Sequence, residues 1–262
     1  MSRQSFLDPA ALLGAAQGDV IRLSDAEARH ALVKRIAVGE QIDVVDGAGT
    51  RCVGELVSAG PDGVEVRVLE LVKTEASASS VSTVLVQALA KQDRDLQAVE
   101  TCVEIGIDAV IPWQAERSIV RWREERAAKA HAKWVNQVVA AVKQSRRVSL
   151  PPVEELHTSA ALGKRIAAVT QAGGLVLVLH ESAGQGLPDA VDAWLTSRQQ
   201  DAPAEVLLLV GPEGGISPAE IERFQAAGAL AVLVGSNVLR ASTAGAVGLV
   251  LLRQALGAYS AA

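Results

Sequence analysis

A glycine-rich loop in the C-terminal half of the chain carries residues that could hold a ligand and act on it. The loop follows an apolar run at residues 206–210 and begins with Gly211, Pro212, Glu213, Gly214 and Gly215. A tight turn alone would explain some of these glycines, but glycine also lets a ligand approach the backbone closely. Three glycines beside a carboxylate therefore indicate a ligand site. Ser217, Pro218 and Glu220 then predict a helix start with a capping box.

Two further loops follow apolar runs, at residues 175–179 and 231–234. The later loop contains Gly235, Val238, Leu239 and Arg240, and it leads into a helix that Ser242 or Thr243 is expected to cap. Arg240 would face a ligand there, whereas the alternative is a surface ion pair. The earlier loop begins with His180 and Glu181 after Leu179. A lone histidine at a strand end is more often a hydrogen-bonded structural residue than a base, and that interpretation is favoured here.

The elements that must position these loops alternate between strand and helix. The predicted strands lie at 84–88, 109–112, 175–180, 206–210 and 231–234, and the predicted helices at 93–105, 124–147, 188–196, 218–227 and 243–256. Such alternation predicts an α/β fold with a mostly parallel sheet covered on both faces. Ligands of open α/β sheets collect beyond the carboxyl ends of the strands, which is where the three loops lie.

The N-terminal part has a different pattern, typical of a small β-rich domain. Short strands are expected at 19–23, 41–45, 52–57 and 63–71. Ser24 and Glu27 have the spacing of a capping box and predict a helix through about Ile36. The segment 74–82 is rich in Ser and Ala and is expected to be a linker. The predicted domains are therefore 1–74 and 82–262.

Composition excludes several classes of protein. With 262 residues, 49% of them hydrophobic, the chain can bury a core. It has no apolar run near the roughly 20 residues that a membrane-spanning helix needs. The N-terminus lacks a secretion signal, and Cys52 and Cys102 lie far apart, which favours a reducing cytoplasm and two cysteines that pack as small hydrophobes. The sequence motifs of nucleotide hydrolysis, dinucleotide redox chemistry and zinc hydrolysis are missing, and no metal site is expected.

The charge distribution points to a polyanionic partner. The net charge is −5, but residues 117–147 contain nine basic and two acidic residues, so the rest of the chain carries −12. A concentrated basic segment can bind RNA phosphates, although a solvated charged helix is the usual alternative. The candidate RNA-binding residues are Arg94, Arg117, Arg121, Arg123, Arg146 and Arg147. Trp113, Trp122 and Trp134 could stack on bases, but core packing is expected for at least two of them.

The motifs of the C-terminal half resemble those of the SPOUT class of RNA methyltransferases, and within it the ribosomal RNA small subunit methyltransferase E family. The resemblance rests on the Gly-Pro-Glu-Gly-Gly-Ile-Ser motif at 211–217 and on the Val-Leu-Arg-x-x-Thr-Ala motif at 238–244. It extends to Lys91, Glu116-Arg117-Ser118 and the Gln-Ser-Arg-Arg motif at 144–147. The sequence departs from the family pattern in two places: the Leu-Arg loop has Asn237 where Arg is frequent and Ser242 where Glu is frequent, and Gln92 follows Lys91 where Gly is usual.

This resemblance implies an N-terminal PUA-like β-barrel that helps to hold RNA, and a C-terminal α/β domain with a deep trefoil knot. It also implies a homodimer, the cofactor S-adenosyl-L-methionine and a uridine of 16S rRNA as the substrate. The residues that it assigns to the cofactor are Leu179, His180, Glu181, Gly211, Pro212, Glu213, Gly214, Gly215, Gly235, Val238, Leu239, Arg240, Ser242 and Thr243.

The reaction expected from the resemblance is methyl transfer to N3 of the uracil. The pKa of the uracil N3–H group lies well above neutral pH, so a site must remove this proton or stabilise the resulting anion. Arg240 is the candidate catalytic residue for stabilising that charge. Glu213 and water are both candidate proton acceptors, while Glu213 could instead tie its loop to backbone amides. Two alternatives remain open: a methyltransferase acting on a ribose 2′-hydroxyl or on tRNA, and a non-catalytic RNA-binding assembly factor.

Overall fold

The computed structural model describes residues 3–73, 81–198 and 202–259, and these separate into two compact units. The first unit contains residues 3–73 and 139–150, and the second contains 81–138, 151–198 and 202–259. Residues 139–150, which the expected boundary assigns to the second domain, thus group with the first. Most of the expected linker, 74–80, lies outside the described residues, whereas Val81 and Ser82 already belong to a strand.

The first unit is a five-stranded sheet with one helix. Its elements are β1 (Gln4–Leu7), β2 (Val20–Arg22), α1 (Asp25–Val33), β3 (Gln41–Val45), β4 (Thr50–Gly60) and β5 (Gly63–Lys73). The strand order is β1-β3-β4-β5-β2, with β1 parallel to β3 and the other neighbours antiparallel. The sheet buries a core around Phe6, Ile42 and Leu56. The four predicted strands are confirmed, but β1 was not predicted.

The capping box predicted for α1 is wrong. Among the described residues the Ser24 side chain caps no helix N–H, and its backbone N–H donates instead to the Asp8 carboxylate at 2.6 Å. Glu27 does not return to the helix start because both of its carboxylate oxygens accept from Lys143 Nζ, at 2.7 and 2.9 Å. The helix also ends at Val33 rather than near Ile36.

The second unit is an α/β layer structure with an entirely parallel sheet. Its elements are β6 (Val81–Ala88), α2 (Arg94–Ile105), β7 (Ala109–Gln114), α3 (Glu124–Ser145, of which residues 124–138 belong to this unit), β8 (His157–Thr158), α4 (Ser159–Gln171), β9 (Leu175–Leu179), α5 (Leu187–Ser197), β10 (Ala204–Val210), α6 (Pro218–Ala226), β11 (Leu230–Val232) and α7 (Ala241–Ala255). The strand order is β11-β9-β10-β6-β7-β8. This confirms the predicted α/β class, although β8 and α4 were not predicted.

Both faces of this sheet are covered, as its apolar strands require. On one face, α4 and α6 bury Leu162, Ile166 and Phe224 against alternate residues of β6, β9 and β10. On the other face, α7 lies close to the strands because of its glycines. A Cβ at Gly245 would lie 3.1 Å from Leu85, and one at Gly248 would lie 3.1 Å from Leu179 and 3.2 Å from Leu208. The helix that follows Arg240 is therefore held directly against the sheet.

Candidate functional site

The three loops singled out by sequence follow adjacent strands. The β9 strand lies between β11 and β10, so the loops after all three strands open at one edge of the sheet. The loops after β9 and β11 are also joined by backbone hydrogen bonds, from His180 N–H to Val232 at 3.1 Å and from Leu187 N–H to Leu233 at 2.9 Å. The parallel sheet thus brings together two segments whose hydrogen-bonded residues are 52 and 46 positions apart in sequence.

Two adjoining cavities lie at this edge. The larger has a volume of about 630 Å³, and arginines 94, 117 and 240 and glutamates 181 and 213 contribute to its wall. The smaller has a volume of about 400 Å³ and is lined by the loop after β11, including Gly235. The two cavities share Leu179, His180, Glu181, Val238, Leu239 and Ala244 as wall residues. Both volumes lie within the range of small-molecule and cofactor sites.

Most of the residues assigned to the cofactor line these cavities. Those on the larger cavity are Leu179, His180, Glu181, Gly211, Pro212, Glu213, Gly214, Gly215, Val238, Leu239 and Arg240. Gly235 lines the smaller one. Ser242 and Thr243 line neither; Ser242 is buried in the first turn of α7, and the Thr243 N–H donates to the Arg240 carbonyl at 2.9 Å.

The glycine-rich loop ends in the predicted capping box, which is confirmed. The Ser217 side chain accepts from the Glu220 N–H at 3.2 Å, and the Glu220 carboxylate accepts from the Ser217 N–H at 3.0 Å. Pro218 occupies the first helical turn, where its missing N–H costs nothing. The start of α6 is therefore fixed locally.

The protein itself requires the glycines of this loop. A Cβ at Gly211 would lie 2.7 Å from Ile216, one at Gly214 would lie 3.2 Å from both Cβ and O of Arg117, and Gly215 has a φ of +70°. Gly235 is different: its φ lies outside the left-handed region, and a Cβ there would meet no described atom within 4 Å. Among these four glycines, packing and backbone conformation leave only Gly235 unexplained.

Glu213 joins the loop to the segment after β6. Its Oε1 atom accepts from the Lys91 backbone N–H at 3.0 Å and from Arg94 Nη1 at 3.3 Å. This agrees with the interpretation of Glu213 as a carboxylate that ties its loop to a backbone amide. It also places Arg94 at the wall of the larger cavity.

Arg240 is exposed at the start of α7. It is the N-cap residue, with extended backbone (φ −68°, ψ 154°), so the helix begins at Ala241 and the prediction of Ser242 or Thr243 as the cap is wrong. The Arg240 carbonyl already accepts from Thr243 and Ala244, each at 2.9 Å, which sets the first turn. Its guanidinium forms no hydrogen bond or ion pair with any described residue, so the alternative of a surface ion pair receives no support.

His180 has the hydrogen bond expected of a structural histidine. Its Nδ1 atom accepts from the Ser182 backbone N–H at 3.2 Å, so the proton of the neutral ring lies on Nε2. His180 lines both cavities, as a wall residue would.

The candidate RNA-binding arginines divide into three groups. Arg94 and Arg117 line the larger cavity, and Arg117 Nη1 donates to the Gly214 carbonyl at 3.2 Å. Arg121 and Arg123 are exposed in the segment before α3 and line neither cavity, and Arg121 donates to the Glu116 carbonyl at 2.8 Å. The remaining two, Arg146 and Arg147, belong to the first unit.

The tryptophans of the basic segment are mainly structural. Trp113 and Trp134 are buried, at 0% and 2% exposure, which confirms the expectation of core packing for two of the three. Trp122 is partly exposed and contacts Trp134 edge-on, with 5.7 Å between ring centroids. None of the three tryptophans lines either cavity of the described site.

The titratable groups give little support to cysteine or metal chemistry. Burial raises the pKa of the Cys52 thiol to about 11 and that of Cys102 to about 12, so both stay protonated near neutral pH. Burial also raises the pKa of Asp95, which accepts from the Ala90 and Leu96 amides. In the described part of the chain, no group of three or more His, Cys, Asp or Glu side chains could hold a metal ion. No helix within that part is long and apolar enough to span a membrane.

Sequence reasoning missed two residues that hold the site together. Ser159, at the start of α4, donates to Glu220 at 2.5 Å and accepts from Trp113 Nε1 at 3.1 Å. Glu116 accepts from the Ser217 hydroxyl at 2.6 Å. Ser159 lies 61 positions from its carboxylate partner, and no local pattern marks such a pair. Glu116 belongs to a motif of the resemblance, but its spacing predicts no contact.

Comparison with known proteins gives the class to which this fold and site belong. Residues 77–253 match the RNA methyltransferase domain family, and residues 23–69 match the RNA methyltransferase PUA domain family. The fold and the site thus define an RNA methyltransferase with an N-terminal PUA domain. The chain is 40% identical over 235 residues to Ribosomal RNA small subunit methyltransferase E of Mycobacterium tuberculosis, across 88% of this chain and 85% of the relative. The chain belongs to the ribosomal RNA small subunit methyltransferase E family.

Two solved structures resemble the whole chain. The crystal structure of Ribosomal RNA small subunit methyltransferase E from Neisseria gonorrhoeae, bound to S-adenosyl methionine, has a TM-score of 0.81 and 26% identity over 97% of this chain and 98% of that one. A methyltransferase from Legionella pneumophila, in complex with the same cofactor, has a TM-score of 0.81 and 25% identity over the same shares of the chains.

Proposed function

We propose that this RNA methyltransferase transfers a methyl group from S-adenosyl-L-methionine to N3 of a uridine in 16S rRNA. The observation that carries the proposal is the convergence of three motif-bearing loops on the adjoining cavities, in a chain that resembles cofactor-bound relatives along nearly its full length. The name shared by the curated relatives supplies the substrate, small-subunit ribosomal RNA. The base and the atom follow from the motif resemblance.

The residues present fit the cofactor. S-adenosyl-L-methionine carries an adenosine, a sulfonium cation and an amino acid, and so needs apolar walls, backbone donors and carboxylates. Leu179, Val238 and Leu239 supply apolar wall, and Glu181 supplies a carboxylate that favours a cation nearby. The bare backbone at Gly235 leaves space that a Cβ would fill. The loops after β9, β10 and β11 would therefore hold the cofactor, which supplies an activated methyl group when bound.

The other groups of the site act on the uracil. Arg240 is exposed on the wall of the larger cavity with no protein partner among the described residues, so its charge is available to stabilise the uracil anion as the N3 proton leaves. Oε1 of Glu213 already accepts two hydrogen bonds, from Lys91 and Arg94. This favours water over Glu213 as the proton acceptor.

The basic residues would bind the RNA backbone. Arg94 and Arg117 line the larger cavity and would contact phosphates beside the target nucleotide. The proposed RNA-binding set also includes Arg121, Arg123, Arg146 and Arg147. Because phosphate contacts release counterions, RNA binding should weaken steeply as salt is raised.

Several finer features belong to the same proposal. The N-terminal domain, residues 1–74, would form a PUA-like β-barrel, and the methyltransferase domain, residues 82–262, would contain a deep trefoil knot. The active form would be a homodimer. Its proposed rRNA substrate would place the enzyme in the cytoplasm.

The decisive experiment measures transfer from labelled S-adenosyl-L-methionine to small ribosomal subunits purified from cells that lack this protein. Digestion of the rRNA and mass spectrometry of the nucleosides should show 3-methyluridine. A ribose-methylated product, or transfer only to tRNA, would identify a different methyltransferase. Absence of both transfer and cofactor binding would indicate a non-catalytic RNA-binding factor, for which the Ser242 departure from the family motif is the supporting observation.

A further inference from the structure

The hydrogen bonds of Glu220 exceed what a helix cap requires. The residue has 0% exposure, although it lies in the first turn of α6, where capping side chains ordinarily reach solvent. Its Oε2 atom accepts from the Ser217 N–H, which completes the capping box. Its Oε1 atom accepts from two groups outside the helix, the Ser159 hydroxyl at 2.5 Å and the Glu116 N–H at 2.8 Å. One of the two carboxylate oxygens, Oε1, therefore accepts hydrogen bonds only from groups outside α6.

One of these contacts outside α6 holds the residue next to Arg117. Glu116 immediately precedes Arg117, and it is held twice: its N–H by Glu220 and its carboxylate by the Ser217 hydroxyl. The Arg117 guanidinium then donates to the Gly214 carbonyl at 3.2 Å and lines the larger cavity. The closeness of the two loops is also the reason for the glycine at 214, because a Cβ there would lie 3.2 Å from Arg117.

Only a carboxylate suits all the donors at this position. A buried carboxylate is costly unless it is hydrogen-bonded, and Glu220 accepts from three groups. The Ser159 hydroxyl accepts from Trp113 Nε1, so its own proton is directed to Glu220. Glutamine has one acceptor oxygen and a donor NH₂ group. At position 220 its NH₂ group would face at least one of the N–H or O–H groups that now donate to the Glu220 carboxylate.

We infer that Glu220 is a positioning residue for Arg117. It fixes the backbone of Glu116 so that the Arg117 guanidinium is presented at the cavity to a phosphate of the RNA. The inference rests on the proposed function only in taking RNA as the ligand. Glu220 itself is too deeply buried to touch substrate or cofactor.

The test is a double-mutant cycle of Glu220→Gln, Arg117→Ala and the double variant. Binding to purified small ribosomal subunits is measured by filter binding over a series of KCl concentrations. Loss of one phosphate contact reduces the slope of log affinity against log salt by about one. If Glu220 acts through Arg117, each single variant loses about one unit of slope, and the double variant loses about one rather than two.

The matched control is Glu222→Gln, the same chemical change at an exposed position of the same helix, and it should leave both affinity and slope unchanged. Ser159→Ala removes one outside donor and keeps the capping box, so it tests the role again if Glu220→Gln fails to fold. It should lower the affinity in the same direction. Circular dichroism and thermal unfolding verify that each variant is folded.

Independent effects in the cycle, with losses that add in the double variant, would overturn the inference. So would a folded Glu220→Gln protein with unchanged salt slope, or a wild-type protein that does not bind the subunits. Binding is measured without methyl transfer. A protein that binds and gives the expected cycle but transfers no methyl group would therefore contradict the proposed function while supporting the positioning role.

Discussion

Replacement of Gly235 by alanine should lower the affinity for the cofactor without lowering the stability of the protein. The new Cβ would meet no described atom within 4 Å, and the backbone does not need a positive φ. Stability should therefore rise by about 0.4–1 kcal/mol, because alanine restricts the unfolded chain. If the cofactor lies against this backbone, the extra methyl group overpacks the smaller cavity and costs about 1–3 kcal/mol. Since about 1.4 kcal/mol is tenfold in Kd, cofactor affinity should fall roughly fivefold to 150-fold.

Isothermal titration of S-adenosyl-L-methionine and thermal unfolding measure the two effects. Gly184→Ala is the matched control, because a Cβ at Gly184 also meets no described atom within 4 Å, yet Gly184 lines neither cavity. Gly215→Ala should instead lose about 1–2 kcal/mol of stability, because Gly215 has a φ of +70°. A folded Gly235→Ala protein that binds the cofactor as well as the Gly184→Ala control would refute the reasoning.

Three other predictions concern individual side chains. Arg240→Ala should lower turnover by about 10²-fold or more in a methyl-transfer assay at saturating cofactor; unchanged turnover would exclude the charge-stabilising role. Lys143→Met should lower the free energy of unfolding by about 1–3 kcal/mol in urea titrations, because the Glu27 carboxylate loses two hydrogen bonds; an unchanged midpoint would contradict this. Cys52 and Cys102, with pKa values raised by burial to about 11 and about 12, should react with a thiol reagent only after denaturation, so rapid labelling of the native protein would count against their burial.

Local patterns predicted much of the framework that positions the site. Strand β3 has the expected bounds, and the strand and helix that flank the glycine-rich loop begin and end within two residues of their predicted positions. Apolar runs on both strand faces and a proline after a capping serine are signals contained within a few residues. Helix α4 was missed although Leu162, Ile166 and Val169 repeat at helical spacing and are buried. That pattern could have revealed it.

Contacts between distant segments could not be predicted in this way. The chain contains the same Ser-x-x-Glu spacing twice, and only the later pair forms a capping box. In the earlier pair Lys143, 116 residues further on, takes the carboxylate of Glu27. In the later pair Glu220 caps its helix and still accepts from Ser159 and Glu116. The Ser-x-x-Glu spacing makes a capping box possible, and hydrogen-bond partners from distant elements determine whether the box forms.

The common wall of the two cavities has a consequence for inhibitor design. Leu179, His180, Glu181, Val238, Leu239 and Ala244 border both spaces, so molecules bound in them would lie side by side. A single compound with one arm in each space would need only a short linker across this wall. Once the first arm is bound, the second binds at a high effective concentration, so the affinity can exceed that of either arm without any new contact. Two weak fragments, one for each cavity, are therefore a rational starting point for a linked ligand that fills both.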